Sequence, residues 1–222
     1  MKFYSSTFLS IILAFLVFLG VQGGPVEVTD DQGLQYHFSN IIRPVPEVLL
    51  DEFGEAIEEK KPEKVTVEVF TTFDCSECDR FAIDTFLPLR EKYLEDESVE
   101  VKLFVVPDRE SEAEYYSAVG IQCAAEQNSY WEMYRALHET PDPLNKREVD
   151  LNAQGLGLEI VPFRNCLNSG KYDEMIEADI AYAEGRGATT KPIVFIGGYV
   201  LLGNQPIENI EKIIKEALSP KS

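Results

Sequence analysis

The chain has 222 residues, four cysteines and a formal net charge of −19, and 45% of its residues are hydrophobic. That is enough chain to bury a core of its own, so disulfides are not needed to replace one. So acidic a surface argues against nucleic acid and against anionic membranes as partners.

Met1 and Lys2 precede an apolar run from Phe8 to Val21, followed by Gln22, Gly23 and Gly24. A basic start, a short apolar stretch and small residues at its end describe a secretory signal peptide, with cleavage expected near Gly23 or Gly24. The alternative is an anchor that stays attached, since counting back to Tyr4 gives nearly enough length to span a bilayer. On either reading residues 1–23 stand outside the fold, and the rest of the chain is expected outside the cytoplasm, where cysteine pairs can oxidise. Any contact with a membrane is then expected only through an uncleaved signal.

Residues 24–64 read as an N-terminal extension. Val26 and Val28, then Leu34, Tyr36 and Phe38, alternate as strands do and suggest a hairpin around Asp31, Gln32 and Gly33. Val48 to Lys60 has helical character and Pro62 ends it. His37 lies here without an obvious ligand partner.

Val65, Val67, Val69 and Phe70 form a short β-branched and aromatic run, as a buried strand requires. Cys75, Ser76, Glu77 and Cys78 follow, and then apolar positions recur at helical spacing through Phe81, Ala82, Phe86, Leu89 and Leu94. A C-x-x-C therefore falls where a strand turns into a helix. The first cysteine meets unpaired backbone N–H groups, which favour a thiolate. The second lies one turn on, within reach of a mixed disulfide formed by the first. On the residues alone, a structural staple or half of a metal site is the competing reading. Asp74 and Glu77 disfavour a thiolate at this turn.

Pro88 should kink or split the helix that follows. Val99 to Val106 reads as a second buried strand. From Glu112 to Glu184 only helical segments are expected: Glu112 to Leu137, Lys146 to Leu156, Pro162 to Leu167 and Tyr172 to Glu184. Ile193 to Ile196 and Tyr199 to Leu202 form two strands joined by Gly197 and Gly198, a hairpin signal. Pro206 opens a final amphipathic helix. His138 follows Leu137 at a helix end, where capping is a sufficient role. Trp131, Tyr130 and Tyr134 read as core packing rather than a ligand pocket. No phosphate loop or serine-centred triad stands out, and no cofactor or metal is expected.

The order strand, helix, strand, helical insert, hairpin, helix is that of an α/β thioredoxin fold with an inserted helical domain, spanning residues 65–218 with the insert at about 112–184. Four local matches make the stretch resemble the DsbA-like thiol:disulfide oxidoreductases. Phe73 through Cys78 with Phe81 is similar to that family's redox turn. Cys123 through Gln127 with Trp131, Glu132 and Met133 resembles its insert helix, and Cys166 through Tyr172 a later insert segment. Thr190, Lys191, Pro192 and the strand after them resemble the segment that carries its cis-proline. Strongly oxidising members often have proline and histidine where this chain has Ser76 and Glu77, and Lys191 stands where threonine or valine is usual. Six residues before Cys75, where related enzymes often bury an acid, stands Val69; alternation sends its neighbour Glu68 to the other face.

The resemblance implies that Cys75 is the nucleophile and Cys78 the resolving thiol. It implies that Ser76, Glu77, Lys191 and a cis Pro192 line the substrate groove. It also implies a second disulfide between Cys123 and Cys166, with two free buried thiols as the alternative. The activity to expect is disulfide exchange with cysteines of extracytoplasmic proteins, in the oxidising direction, with a redox partner that recycles the Cys75–Cys78 pair. A reductase or isomerase using the same residues is the first alternative. A non-catalytic binding protein or chaperone with a structural cysteine pair is the second.

Overall fold

The computed structural model describes residues 64–219 other than Asp74 and Asp142, and the backbone of three short strands before them. The signal segment, the expected helix at 48–60 and Asp74 lie outside the described residues. The chain divides into two units, residues 1–39 and 40–222. In the first, β1 (Glu27–Thr29) pairs antiparallel with β2 (Gln35–His37), Val28 opposite Tyr36.

The second unit is built on a five-stranded sheet. Its strands are β3 (Ile41–Ile42), β4 (Val65–Thr71), β5 (Val99–Val105), β6 (Ile193–Ile196) and β7 (Tyr199–Leu202), in the order β3-β7-β6-β4-β5. β4 runs parallel to β5 and antiparallel to β6, with Val69 opposite Leu103 on one side and Val194 on the other. Val65, Val67 and Val69 are buried while Thr66 and Glu68 are only half-buried, the period of two that alternation dictates. β3 was not anticipated: Ile41 and Ile42 extend the sheet by pairing with Leu201 and Val200.

β5 departs from the expected buried strand. Only its ends, Val99 and Val105, are buried, because it forms the outer edge of the sheet next to β4. Position in the sheet, which the apolar run does not encode, decides its exposure.

The helix after the C-x-x-C also differs from expectation. α1 (Ser76–Arg80), a π-helical segment (Phe81–Phe86) and α2 (Leu87–Lys92) follow one another with right-handed helical dihedrals at each junction. Pro88 has no N–H, and its ring would collide with the Asp84 carbonyl in a regular α-turn. The Leu87 N–H instead donates to the Ala82 carbonyl, five residues back. The wider turn absorbs the proline without dividing the helix.

Five helices fill the chain between β5 and β6: α3 (Glu112–Ala125), α4 (Tyr130–Glu139), α5 (Lys146–Gly155), α6 (Ile160–Leu167) and α7 (Asp173–Arg186). The stretch expected as one helix from Glu112 to Leu137 is two, broken at a turn in which Asn128 takes a left-handed φ of 60°. Asparagine tolerates that conformation better than most residues. Gly120 lets α3 approach α5 closely, since a Cβ there would come within 2.6 Å of Val149 Cγ1. The last helix, α8 (Ile207–Leu218), packs on β4, β6 and the π-helical segment, burying Ile210, Ile213 and Ile214. α7 packs on β5, and its Tyr182 and Arg186 both bond Glu68 of β4, the arginine at 2.6 Å. Glu68 is thus occupied on the α7 face.

Candidate active site

β4 delivers the chain to the top of the sheet, where the Val106 N–H donates to the Thr71 carbonyl and holds the β4 and β5 ends together. Beyond it Phe73 is wholly buried and anchors the turn. Cys75 takes extended dihedrals (φ −145°, ψ 107°) as the N-cap of α1, and its Sγ accepts the Cys78 N–H at 3.2 Å. Cys75 and Cys78 are joined as a disulfide, with Cα atoms 5.1 Å apart. The two sulfurs are unequal: Cys75 is half-buried, whereas Cys78 is 0% exposed. An attacking group can reach the first and not the second.

Ser76 and Glu77 between them are exposed. The Lys191–Pro192 peptide bond is cis, and Pro192 immediately precedes β6, whose Ile193 pairs with Phe70 near the end of β4. The Pro192 carbonyl accepts the Gly203 N–H at 2.9 Å. A Cβ on Gly203 would stand 3.8 Å from Glu77 Oε2, so the loop after β7 links the cis-proline segment to the C-x-x-C dipeptide. Pro192 is buried and Lys191 half-buried. Glu114 of α3 accepts from the Thr72 hydroxyl and, at 2.8 Å, from the Asp108 N–H, tying the insert to the same loop.

His138 is the site residue that reading by sequence missed. Its ring does not cap α4. It is buried, stacked on Phe73 with centroids 4.4 Å apart, and its Nδ1 lies 2.8 Å from Asp79 Oδ1, on the residue after Cys78. Burial holds the imidazole below its ordinary range, outweighing the opposite pull of Asp79. No local pattern announces this contact between residues 59 apart.

Cys123 of α3 and Cys166 of α6 form a second disulfide, with Cα atoms 5.8 Å apart, inside the helical insert. Tyr134 is wholly buried against Phe73 and Phe86, and Trp131 lies half-buried under the Arg90 guanidinium, 3.9 Å from the ring centroid. Among the described residues no group of histidine, cysteine and acidic side chains could hold a metal ion, and no helix is long and apolar enough to cross a membrane.

A family model described as thioredoxin matches residues 60–216. The chain belongs to the thioredoxin family. No curated protein matches it. Among solved structures, a thioredoxin-like oxidoreductase from Silicibacter pomeroyi shares 21% identity over 71% of this chain and 88% of its own, with a TM-score of 0.61. The thiol-disulfide exchange protein alpha-DsbA2 from Wolbachia pipientis shares 13% over 72% and 84%, with a TM-score of 0.59. A periplasmic thioredoxin-like protein from Salmonella enterica shares 20% over 73% and 88%, with a TM-score of 0.53. These likenesses are of fold, and the fold is the DsbA-type arrangement of a thioredoxin sheet with a helical insert. With a C-x-x-C pair at its strand-to-helix turn, this thioredoxin-family chain falls in the class of thiol:disulfide oxidoreductases.

Proposed function

We propose that the protein is an exported disulfide oxidase that passes the Cys75–Cys78 disulfide to cysteine pairs of extracytoplasmic proteins. The observation that carries this reading is the inequality of the two sulfurs, a reachable Cys75 at a helix start and a wholly buried Cys78. A substrate thiolate attacks Cys75 Sγ, the Cys75–Cys78 bond breaks, and Cys78 leaves with the electron pair and takes up a proton. The substrate's second thiolate then attacks its own sulfur in the mixed disulfide and releases Cys75 as a thiolate. The Cys78 N–H directed at Cys75 Sγ, and the helix dipole behind it, stabilise that leaving group. Glu77 and Asp79 oppose it and Lys191 supports it, so the oxidising power expected is milder than that of a pair without acidic neighbours. The cis Pro192 and Lys191 backbone offers an extended substrate segment a place beside Cys75. A redox partner then reoxidises the pair. The N-terminal apolar run supports export, as does the periplasmic protein among its structural neighbours.

The test is oxidation of a dithiol peptide by the full chain, with Cys75→Ser as the control. Catalysis by the disulfide form that the substitution abolishes is the expected result. Equal rates with and without Cys75 would refute the enzyme reading. A reduction potential near about −270 mV instead of nearer about −120 mV would reverse the direction to reductase.

A further inference from the structure

The exchange reaction releases a proton for which the residues named so far provide no acceptor, and a titratable pair lies beside it. Asp79 follows Cys78 on α1, and its N–H donates to the Cys75 carbonyl at 2.9 Å, so Asp79 shares a helical turn with the nucleophile. Its carboxylate can only accept, so the hydrogen in the 2.8 Å contact with His138 belongs to Nδ1. In the neutral ring the remaining lone pair then sits on Nε2. The His138 side chain is 0% exposed, and Nε2 has no hydrogen-bond partner among the described residues. A buried acceptor without a donor costs free energy, and native structures keep few of them.

We propose that His138, held by Asp79, is a proton acceptor coupled to the redox disulfide: reduction of Cys75–Cys78 loads a proton onto Nε2 and reoxidation releases it. This rests on the disulfide exchange assigned above to Cys75 and Cys78. A dithiol substrate gives up two electrons and two protons as its own disulfide forms. The Cys75–Cys78 bond takes both electrons as it breaks. One proton ends on Cys78 Sγ, Cys75 stays a thiolate, and the second proton goes to Nε2. The imidazolium keeps the Asp79 bond at Nδ1 that the neutral ring already has, and it gains the attraction of the new thiolate charge, which an intact disulfide does not offer.

The surroundings suit this role. Asp79 is the charged group that acts on His138 among the described residues. Tyr134, edge-on at 4.5 Å, is a phenol that burial keeps protonated. The other elements packed against α4 are α3, α5 and the π-helical segment, which carry Glu114, Glu148 and Asp84, and among the described residues the ring's hydrogen-bond partner is Asp79 and none of these. Burial keeps the imidazole neutral in the disulfide form. His138 makes no hydrogen bond to either sulfur among the described residues, so the proton it holds acts on the redox pair through charge.

The experiment is an NMR titration of the imidazole carbon-bound protons in the full chain, oxidised and reduced. The chain has two histidines, and either His138→Phe or His37→Gln assigns the signals. The His138 midpoint is expected to rise by about one unit on reduction, about tenfold in proton affinity. Asp79→Asn, which keeps an acceptor and removes the charge, is expected to lower the midpoint in both states. In glutathione buffers the equilibrium constant for reduction, taken as unaltered chain over His138→Phe, should grow about tenfold as pH falls through the two midpoints. An identical midpoint in both states, while Cys75–Cys78 still equilibrates with glutathione, overturns the proposal and leaves the exchange reading standing. Failure of Cys75–Cys78 to equilibrate with glutathione at any pH overturns both.

Discussion

His138 occupies a position where a phenylalanine would satisfy every contact but one. Its ring stacks on Phe73 and meets Tyr134 edge-on, and its one polar contact among the described residues is with Asp79. Because burial depresses the folded-state pKa below the ordinary 6.5, the unfolded chain binds the proton more tightly than the folded one. The stability that the neutral ring contributes is therefore complete above 6.5 and is lost as pH falls through the lower folded value. His138→Phe removes this term. In urea titrations of the disulfide form, the variant should gain on the unaltered chain between about pH 7.5 and about pH 5. A difference independent of pH would mean that the ring binds its proton equally well folded and unfolded. Gly120 argues the opposite case, where size alone decides. A methyl there would meet Val149 Cγ1 at 2.6 Å, so Gly120→Ala should destabilise by about 1–3 kcal/mol as read by its urea midpoint.

At the scale of elements, what could be read from the sequence was whatever its own residues specify. The run Val65 to Phe70 names a strand, and Gly197 and Gly198 with the apolar stretches around them name the hairpin of β6 and β7, because alternation and turn chemistry act over a few residues. The C-x-x-C turn was legible for the same reason. The exposure of β5 was not, because it depends on which strand lies beyond it. The contact of His138 with Asp79 depends on how α4 docks against α1, and no local signal encodes that. Pro88 leads the sequence to a kink or a split, whereas the chain meets it with a wide turn and stays helical. The α3–α6 bridge shows what docking of the insert contributes. Cys123 and Cys166 are 43 residues apart, and closing such a loop stabilises by about 4 kcal/mol on the chain-entropy model. A Cys123→Ala, Cys166→Ala double variant should unfold at lower urea by about that amount while exchange at Cys75 continues. Loss of exchange in a chain that still folds would place the second pair in the reaction.

For the whole molecule the governing quantity is charge. A net −19 over one chain sets up a negative field that slows the approach of acidic partners and speeds that of basic ones. Near the site the sign is the same, since Glu77 is exposed beside Cys75 and Asp79 lies one residue past Cys78, with Lys191 the basic group of the cis-proline segment. Screening shortens the reach of such a field from about 10 Å at 0.1 M salt to about 3 Å at 1 M. Two dithiol peptides of equal length, one lysine-rich and one glutamate-rich, should therefore react with the disulfide form at different rates in low salt, the basic one faster by about tenfold. Their rates should converge as salt is added, with the basic peptide slowing and the acidic one accelerating. Glu77→Gln should narrow the gap at low salt without changing the rates at high salt. If the preference persisted undiminished in 1 M salt, it would arise from contacts in the groove beside Pro192 and not from the field of the chain.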